Sequence, residues 1–138
     1  MVGNGPEKDN FPKAEQIKVY DFMPQHEITK LINDVDFFCL PSLREPWGVV
    51  IHEMASSGLP LLLSDTCGAG TDYLINGYNG YYFENNNPID LKEKLLILMT
   101  ASSEQLSTMG KRSYKFSLNN SPEIWSYRLN QLFEDSGL

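Results

Sequence analysis

Pro41-Ser42-Leu43-Arg44-Glu45-Pro46-Trp47-Gly48-Val49-Val50-Ile51-His52-Glu53-Met54-Ala55 follows directly on the apolar run Phe37-Phe38-Cys39-Leu40. Four apolar residues without polar alternation read as a parallel strand covered on both faces. Pro46 suits the first turn of a helix, so the spacing predicts a strand, a turn and a helix opening near Pro46. Gly48 leaves room for a ligand to approach the backbone. The first helical amides then face the crevice at the carboxyl ends of the strands, the usual ligand site of an open α/β sheet. A helix N-terminus at that place favours a phosphate group.

Glu53 is the only formally charged side chain between Pro46 and Ser64. It follows Val49 by four residues and Val50 by three, so it shares their helix face. A carboxylate among apolar neighbours is costly unless hydrogen-bonded, and a pair of sugar hydroxyls is a suitable partner. Glu45 and Glu53 stand about two helical turns apart, far enough to hold different parts of one elongated ligand.

Outward from this stretch, β-prone runs recur at Ile17–Phe22, Pro60–Leu63 and Tyr81–Phe83. Between the first run and Phe37, residues Ile28, Leu31, Ile32 and Val35 fit one face of a helix, with Pro24 in its first turn. Strand and helix alternating at roughly 20-residue intervals predict βα units and a parallel sheet. The last third reads as helical. Asn87-Pro88 is an N-cap followed by proline, with Leu91, Leu95 and Leu98 on one face. Ser102 with Gln105 fits a capping box. Ser121-Pro122 opens a third helix carrying Trp125, Leu129, Leu132 and Phe133. All these stripes are expected to pack into the core. The expected class is therefore α/β, a Rossmann-like three-layer domain with a parallel sheet and a helical C-terminal third.

The chain has 138 residues, 41% hydrophobic, and a formal charge of −7 from 11 basic and 18 acidic residues. That is enough apolar material for a core. The acidic balance excludes non-specific nucleic-acid binding and a basic membrane-surface helix. Cys39 and Cys67 form no CxxC pair and read as reduced thiols of an intracellular protein. No apolar run reaches a membrane span, and Met1–Pro6 is not a signal peptide. Gly3-Asn4-Gly5-Pro6 is a turn that normally follows a strand, yet only Met1-Val2 precedes it. A domain truncated at its N-terminus is expected.

Glu45 and Glu53, with seven residues between them, preceded by Pro41-Ser42 and followed by Ala55 and Gly58, resemble the E-x7-E signature of family 4 (group 1) retaining glycosyltransferases. Gly3-Asn4-Gly5-Pro6 is similar to that family's G-x-G-P turn. Val19-Tyr20-Asp21-Phe22-Met23-Pro24 resembles its V-x-F-x-G-F-V-P strand end, with Asp21 where glycine is common. Asp36–Ser42 resembles A-D-x-x-x-x-P-S, Gly58–Ser64 resembles G-x-P-V-V-x-S, and Asn76–Phe83 resembles N-G-x-N-G-x-x-F. The resemblance covers most of the chain. It implies the donor-binding C-terminal half of a GT-B fold, residues 1–138, without the N-terminal acceptor domain.

The same resemblance implies roles. Glu45 would stand against the donor sugar hydroxyls at the reacting centre, as the catalytic residue. Glu53 would bind the ribose hydroxyls. The backbone amides of Trp47, Gly48, Val49 and Val50 would meet the sugar and diphosphate. Tyr20 and Phe22 would flank the base. Gly68-Ala69-Gly70-Thr71 either lines the sugar pocket, through Gly68 and Gly70, or is the entry turn of a helix. The implied activity is retaining transfer, by front-face substitution, from a nucleoside-diphosphate sugar to a glycan or lipid acceptor in polysaccharide biosynthesis. No metal or other cofactor is implied. The implied location is the cytoplasm, with the full-length protein peripheral at the inner membrane face through its other half. The alternative is a nucleotide-sugar-binding module of the same fold without catalysis. The family's phosphate-clamping Arg and Lys lie upstream of the G-x-G-P turn. A helix terminus alone stabilises an anion by about 0.3–2 kcal/mol, so the isolated chain is expected to be inactive.

Other signals carry less. Asp34-Val35-Asp36 is a D-x-D pattern away from the glycine-rich crevice. Arg44 and His26 read as solvated, His52 as a packing or capping residue, and Ser42 as a strand-end hydrogen-bonding group. The last helix resembles the family's C-terminal helix, whose apolar stripe favours self-association when uncovered.

Overall fold

Leu61-Leu62-Leu63-Ser64 is buried at every residue. In the computed structural model, which describes residues 1–6 and 8–136, this run is the central strand β2 (Leu61–Ser64). It lies between β1 (Phe38–Leu40) and β3 (Gly80–Phe83) in a parallel sheet of order β1-β2-β3. Leu62 is in register with Cys39 on one side and Tyr81 on the other. A strand paired on both edges and covered on both faces reads as a near-continuous apolar run; here three leucines are followed by Ser64, whose hydroxyl shares a hydrogen bond with Thr66 Oγ1 at 3.0 Å.

The residues before the sheet carry α1 (Gln25–Ile32); the helices that accompany the sheet are α2 (Val49–Ser56), α3 (Gly70–Tyr73), α4 (Pro88–Thr100), α5 (Ser103–Leu118) and α6 (Pro122–Ser136). The architecture is α/β and Rossmann-like, with a helical C-terminal third. Two compact units divide the described residues, Met1–Val35 and Asp36–Leu138. The sheet and every fully buried residue belong to the second.

Leu62, Phe83 and Leu98 form a buried cluster, against which Leu91, Leu95, Leu106 and Met109 pack. Each such side chain contributes about 1.5–3 kcal/mol of burial. Asn87 caps α4 by accepting from the Ile89 and Asp90 amides, both at 3.1 Å. Ser102 and Gln105 form the full capping box of α5, with bonds of 3.2 and 2.8 Å. Two orphan donors are satisfied at that terminus.

Asn79, in the turn before β3, is fully buried. Its amide donates to the Tyr73 carbonyl at 2.8 Å and to Ser113 Oγ at 3.0 Å, and its Oδ1 accepts from the Ile75 amide at 2.8 Å. The turn is thereby pinned to α3 and α5.

Three expectations are corrected. Ile17–Phe22 is not a strand. Tyr20 alone makes an isolated bridge to Val2, since its pairing is limited to two bonds, the Tyr20 amide to the Met1 carbonyl at 2.8 Å and the Gly3 amide to the Tyr20 carbonyl at 3.0 Å. Pro24 is the N-cap residue of α1 rather than a first-turn residue, and Val35 falls outside that helix. The stripe of α6 does not pack into the core: Trp125, Leu129, Leu132 and Phe133 are all exposed.

Candidate functional site

The turn from β1 to α2 is built by pairing with a second turn, the one that leaves β2. Glu45 and Cys67 form an isolated parallel bridge. The Gly68 amide donates to the Glu45 carbonyl at 3.0 Å, and the Ala69 amide to the Trp47 carbonyl at 2.8 Å. These bonds engage the carbonyls of Glu45 and Trp47 outside the helix, so α2 opens at Val49 with Gly48 as its N-cap. The expected start at Pro46 is thus displaced. Gly48 has φ 90°, a left-handed conformation suited to glycine. A Cβ there would also meet Ile51 Cδ1 at 2.9 Å and Glu45 Cγ at 3.0 Å.

Gly68 is needed for a different reason. A Cβ on it would lie 2.0 Å from the Pro46 carbonyl oxygen. The segment Gly68–Thr71 is in fact the entry to α3, which begins at Gly70. Gly70 packs under Tyr82, whose hydroxyl would stand 2.7 Å from an added Cβ.

Glu45 is half-buried, and its Oε1 accepts from the Trp47 amide at 3.4 Å. Glu53 is half-buried on α2, next to the buried Ile51, Met54 and Ala55. The first turn of α2 holds no acidic residue, so its positive end is not offset from within. Trp47 and Val49 are exposed, Val50 half-buried, Gly48 and Gly70 buried and Gly68 half-buried. Tyr20 and Phe22 belong to the first unit, where Phe22 is 77% exposed and its amide donates to Asn4 Oδ1 at 3.0 Å. In that unit Lys8 pairs with Asp21.

Several neighbours of this site carry no sequence signal of their own. Thr66 Oγ1 donates to the Ser42 carbonyl at 3.0 Å, and Asn85 Nδ2 to the Leu43 carbonyl at 3.0 Å, which ties the carboxyl ends of the three strands together. Cys67 is buried, and burial, followed by the nearby Glu45 carboxylate, pushes its thiol up. His52 packs on Tyr73, with ring centroids 5.2 Å apart. The Gly68/Gly70 pair was the available hint, since closely spaced glycines mark close backbone approach. Both cysteines are free thiols. Among the described residues, no group of three or more His, Cys, Asp or Glu is placed to hold a metal ion. No helix among them is long and apolar enough to cross a membrane.

The sequence pattern described as "Glycosyl transferases group 1" matches residues 1–116. The chain belongs to the group 1 glycosyltransferases. It is 32% identical over 109 residues to an uncharacterized glycosyltransferase of Methanocaldococcus jannaschii, covering 79% of this chain and 30% of that one. It is 27% identical over 137 residues to the N,N'-diacetylbacillosaminyl-diphospho-undecaprenol alpha-1,3-N-acetylgalactosaminyltransferase of Campylobacter jejuni, covering 97% of this chain and 36% of that one. The chain thus spans about a third of the length of these curated relatives. Its fold matches that of the Anabaena HepE protein, whose crystal structure is in complex with UDP and glucose. The TM-score is 0.75 at 18% identity, over 99% of this chain and 40% of that one. This group 1 chain therefore has the fold of a GT-B C-terminal domain.

Proposed function

We propose that this glycosyltransferase chain binds a nucleoside-diphosphate sugar at the mouth of α2 and serves retaining transfer of the sugar to a glycan or lipid acceptor, without a metal ion. The observation that carries the reading is Glu53, a half-buried carboxylate on a helix whose other inner positions, Ile51, Met54 and Ala55, are closed to solvent. A vicinal diol is matched to such a carboxylate, because its two hydroxyls donate hydrogen bonds to the carboxylate oxygens. The ribose of a nucleotide supplies that diol. The open amides at the start of α2 then face the diphosphate. Glu45, one turn before the helix, meets the donor sugar. Gly68 and Gly70 let the second turn close on the first.

Most of the acceptor is held by a further domain, and the relative acting on an undecaprenol-linked substrate favours a lipid-linked glycan at the inner face of the membrane. In the reaction the bond from the anomeric carbon to the leaving phosphate breaks, the acceptor oxygen bonds to that carbon on the same face, and the acceptor proton passes to the departing phosphate.

The test is a titration of the chain with UDP, GDP and ADP sugars, followed by ligand-observed NMR, with Glu53→Ala as comparison. One nucleotide should bind weakly to the native chain and at least about tenfold more weakly to the variant, a loss near 1.4 kcal/mol. Equal binding by the two removes Glu53 as the ribose ligand.

A further inference from the structure

A hollow of about 410 Å³ opens on the second unit beside the first turn of α2. Its rim carries Trp47 and Trp125, 52% and 61% exposed. Its wall includes His52 and Tyr73, whose rings meet at a tilt of 31°. Asp72 and Asn120 supply the polar groups, and Asn120 hydrogen-bonds the Tyr73 hydroxyl. The backbone of Trp47 serves the turn that carries Glu45, and the same residue lines this hollow. Nothing in the donor-site reading uses these side chains.

We propose that this hollow is a saccharide subsite, and that it takes an uncharged sugar ring of the acceptor. The identity of that sugar as acceptor rests on the donor reading above; its binding does not. Large exposed indoles are costly to leave in water, and their faces suit the apolar C–H face of a pyranose. The edge of such a ring carries hydroxyls that both donate and accept. Asp72 accepts, and Asn120 does both. Asp72 is the one formally charged group in the lining besides the titratable His52, so a phosphate or a second nucleotide is repelled. A cation would be drawn by Asp72 and the indoles, but it has no use for a donor such as the Asn120 amide. The combination therefore favours the neutral polyol. Its position also suits the chemistry, since Trp47 and Val49 line the hollow and are contiguous with the donor turn.

The chain has two tryptophans, and both line the hollow, so tryptophan fluorescence reports on it directly. The experiment titrates the full chain with the methyl glycosides of glucose, galactose, N-acetylglucosamine and N-acetylgalactosamine. Tetramethylammonium chloride is a parallel arm, and UDP binding is followed separately by NMR. At least one glycoside should change the emission saturably, with Kd on the order of 1 mM or weaker. Asp72→Asn and Trp125→Ala, both at exposed positions, should weaken it at least about tenfold while circular dichroism stays native. The proposal is overturned by no saturable response to any glycoside, or by an equal response in both variants. It is overturned as well if tetramethylammonium alone saturates, or if emission follows protein concentration rather than sugar. A chain that answers a glycoside but not UDP keeps the saccharide site and loses the donor reading. One that answers UDP alone does the reverse.

Discussion

Gly68 sits so close to Pro46 that a Cβ on it would stand 2.0 Å from the Pro46 carbonyl oxygen and 2.9 Å from the carbonyl carbon. Both partners are backbone, and the same strip is fastened by the Gly68 amide to the Glu45 carbonyl. Neither side can yield without moving Glu45. Gly68→Ala should therefore lower stability by about 1–3 kcal/mol, the usual cost of overpacking. Chemical denaturation measures this. If the donor reading is right, nucleotide-sugar affinity should also fall by about tenfold or more. A variant of native stability would mean that the two turns separate more readily than this contact allows.

Asn79→Ala strands three partners at once. The Tyr73 carbonyl, Ser113 Oγ and the Ile75 amide each lose a bond of 3.0 Å or less inside a buried pocket. An unsatisfied buried group costs about 1–3 kcal/mol, although Ser113 retains its contact with the Met109 carbonyl at 3.3 Å. The expected loss in urea unfolding is roughly 2–4 kcal/mol. Arg112, which lies over the Tyr78 ring at 4.0 Å and donates to the Tyr78 carbonyl, is a half-buried anchor of the same turn. Arg112→Ala should cost about 1 kcal/mol or less.

Stability should decline at alkaline pH. Burial, and then the neighbouring Cys67, push the Cys39 thiol up to about 11 from its ordinary 9.0. Burial also raises the Cys67, Tyr73 and Tyr82 groups. The folded chain thus keeps a proton that the unfolded chain releases first. Between about pH 9 and 11 the unfolded state binds fewer protons, so unfolding free energy falls as pH rises. Full titration of Cys39 contributes at most roughly 2–3 kcal/mol of this loss. Urea midpoints measured across that range should drop, and Cys39→Ala should have a shallower drop from its own lower starting point. An unchanged slope in the variant would assign the decline to Cys67 and the two tyrosines.

Much of this fold is legible without coordinates, for identifiable reasons. Leu61–Leu63 announces a central strand because nothing polar interrupts it, and Asn87, Ser102 and Gln105 announce helix starts because their side chains do the capping themselves. The start of α2 is not legible in the same way. Pro46 has the right φ for a first helical turn, but the carbonyls of Glu45 and Trp47 are claimed by amides about 20 residues downstream. Local preference carries no information about such a partner. Ile17–Phe22 has the composition of a strand, yet a strand also requires a continuous ladder of partners, and here only Tyr20 is bridged, to Val2. Within the site, Glu45 and Glu53 stand out by charge against an apolar background. Trp47 reads as a backbone contributor only, because periodicity gives no hint that it lines one hollow with Trp125, 78 positions later.

The exposed stripe of α6 sets the behaviour of the isolated chain in solution. Trp125, Leu129, Leu132 and Phe133 recur at helical spacing along α6 (Pro122–Ser136) and all stand open to solvent, Leu132 at 66%. A contiguous apolar strip of this kind on a soluble chain is an association surface. The net charge of −7 opposes close approach of two copies, and added salt screens that repulsion. Self-association should therefore strengthen with both protein concentration and ionic strength, the opposite of what an ion-paired interface would do. Sedimentation velocity at low and high salt separates these cases. Leu132→Glu, placed in the middle of the stripe, should weaken association at least about tenfold with little change in unfolding free energy, since the side chain lies outside the core. A monomer at all concentrations and salts would show that the strip is too narrow to hold a second copy.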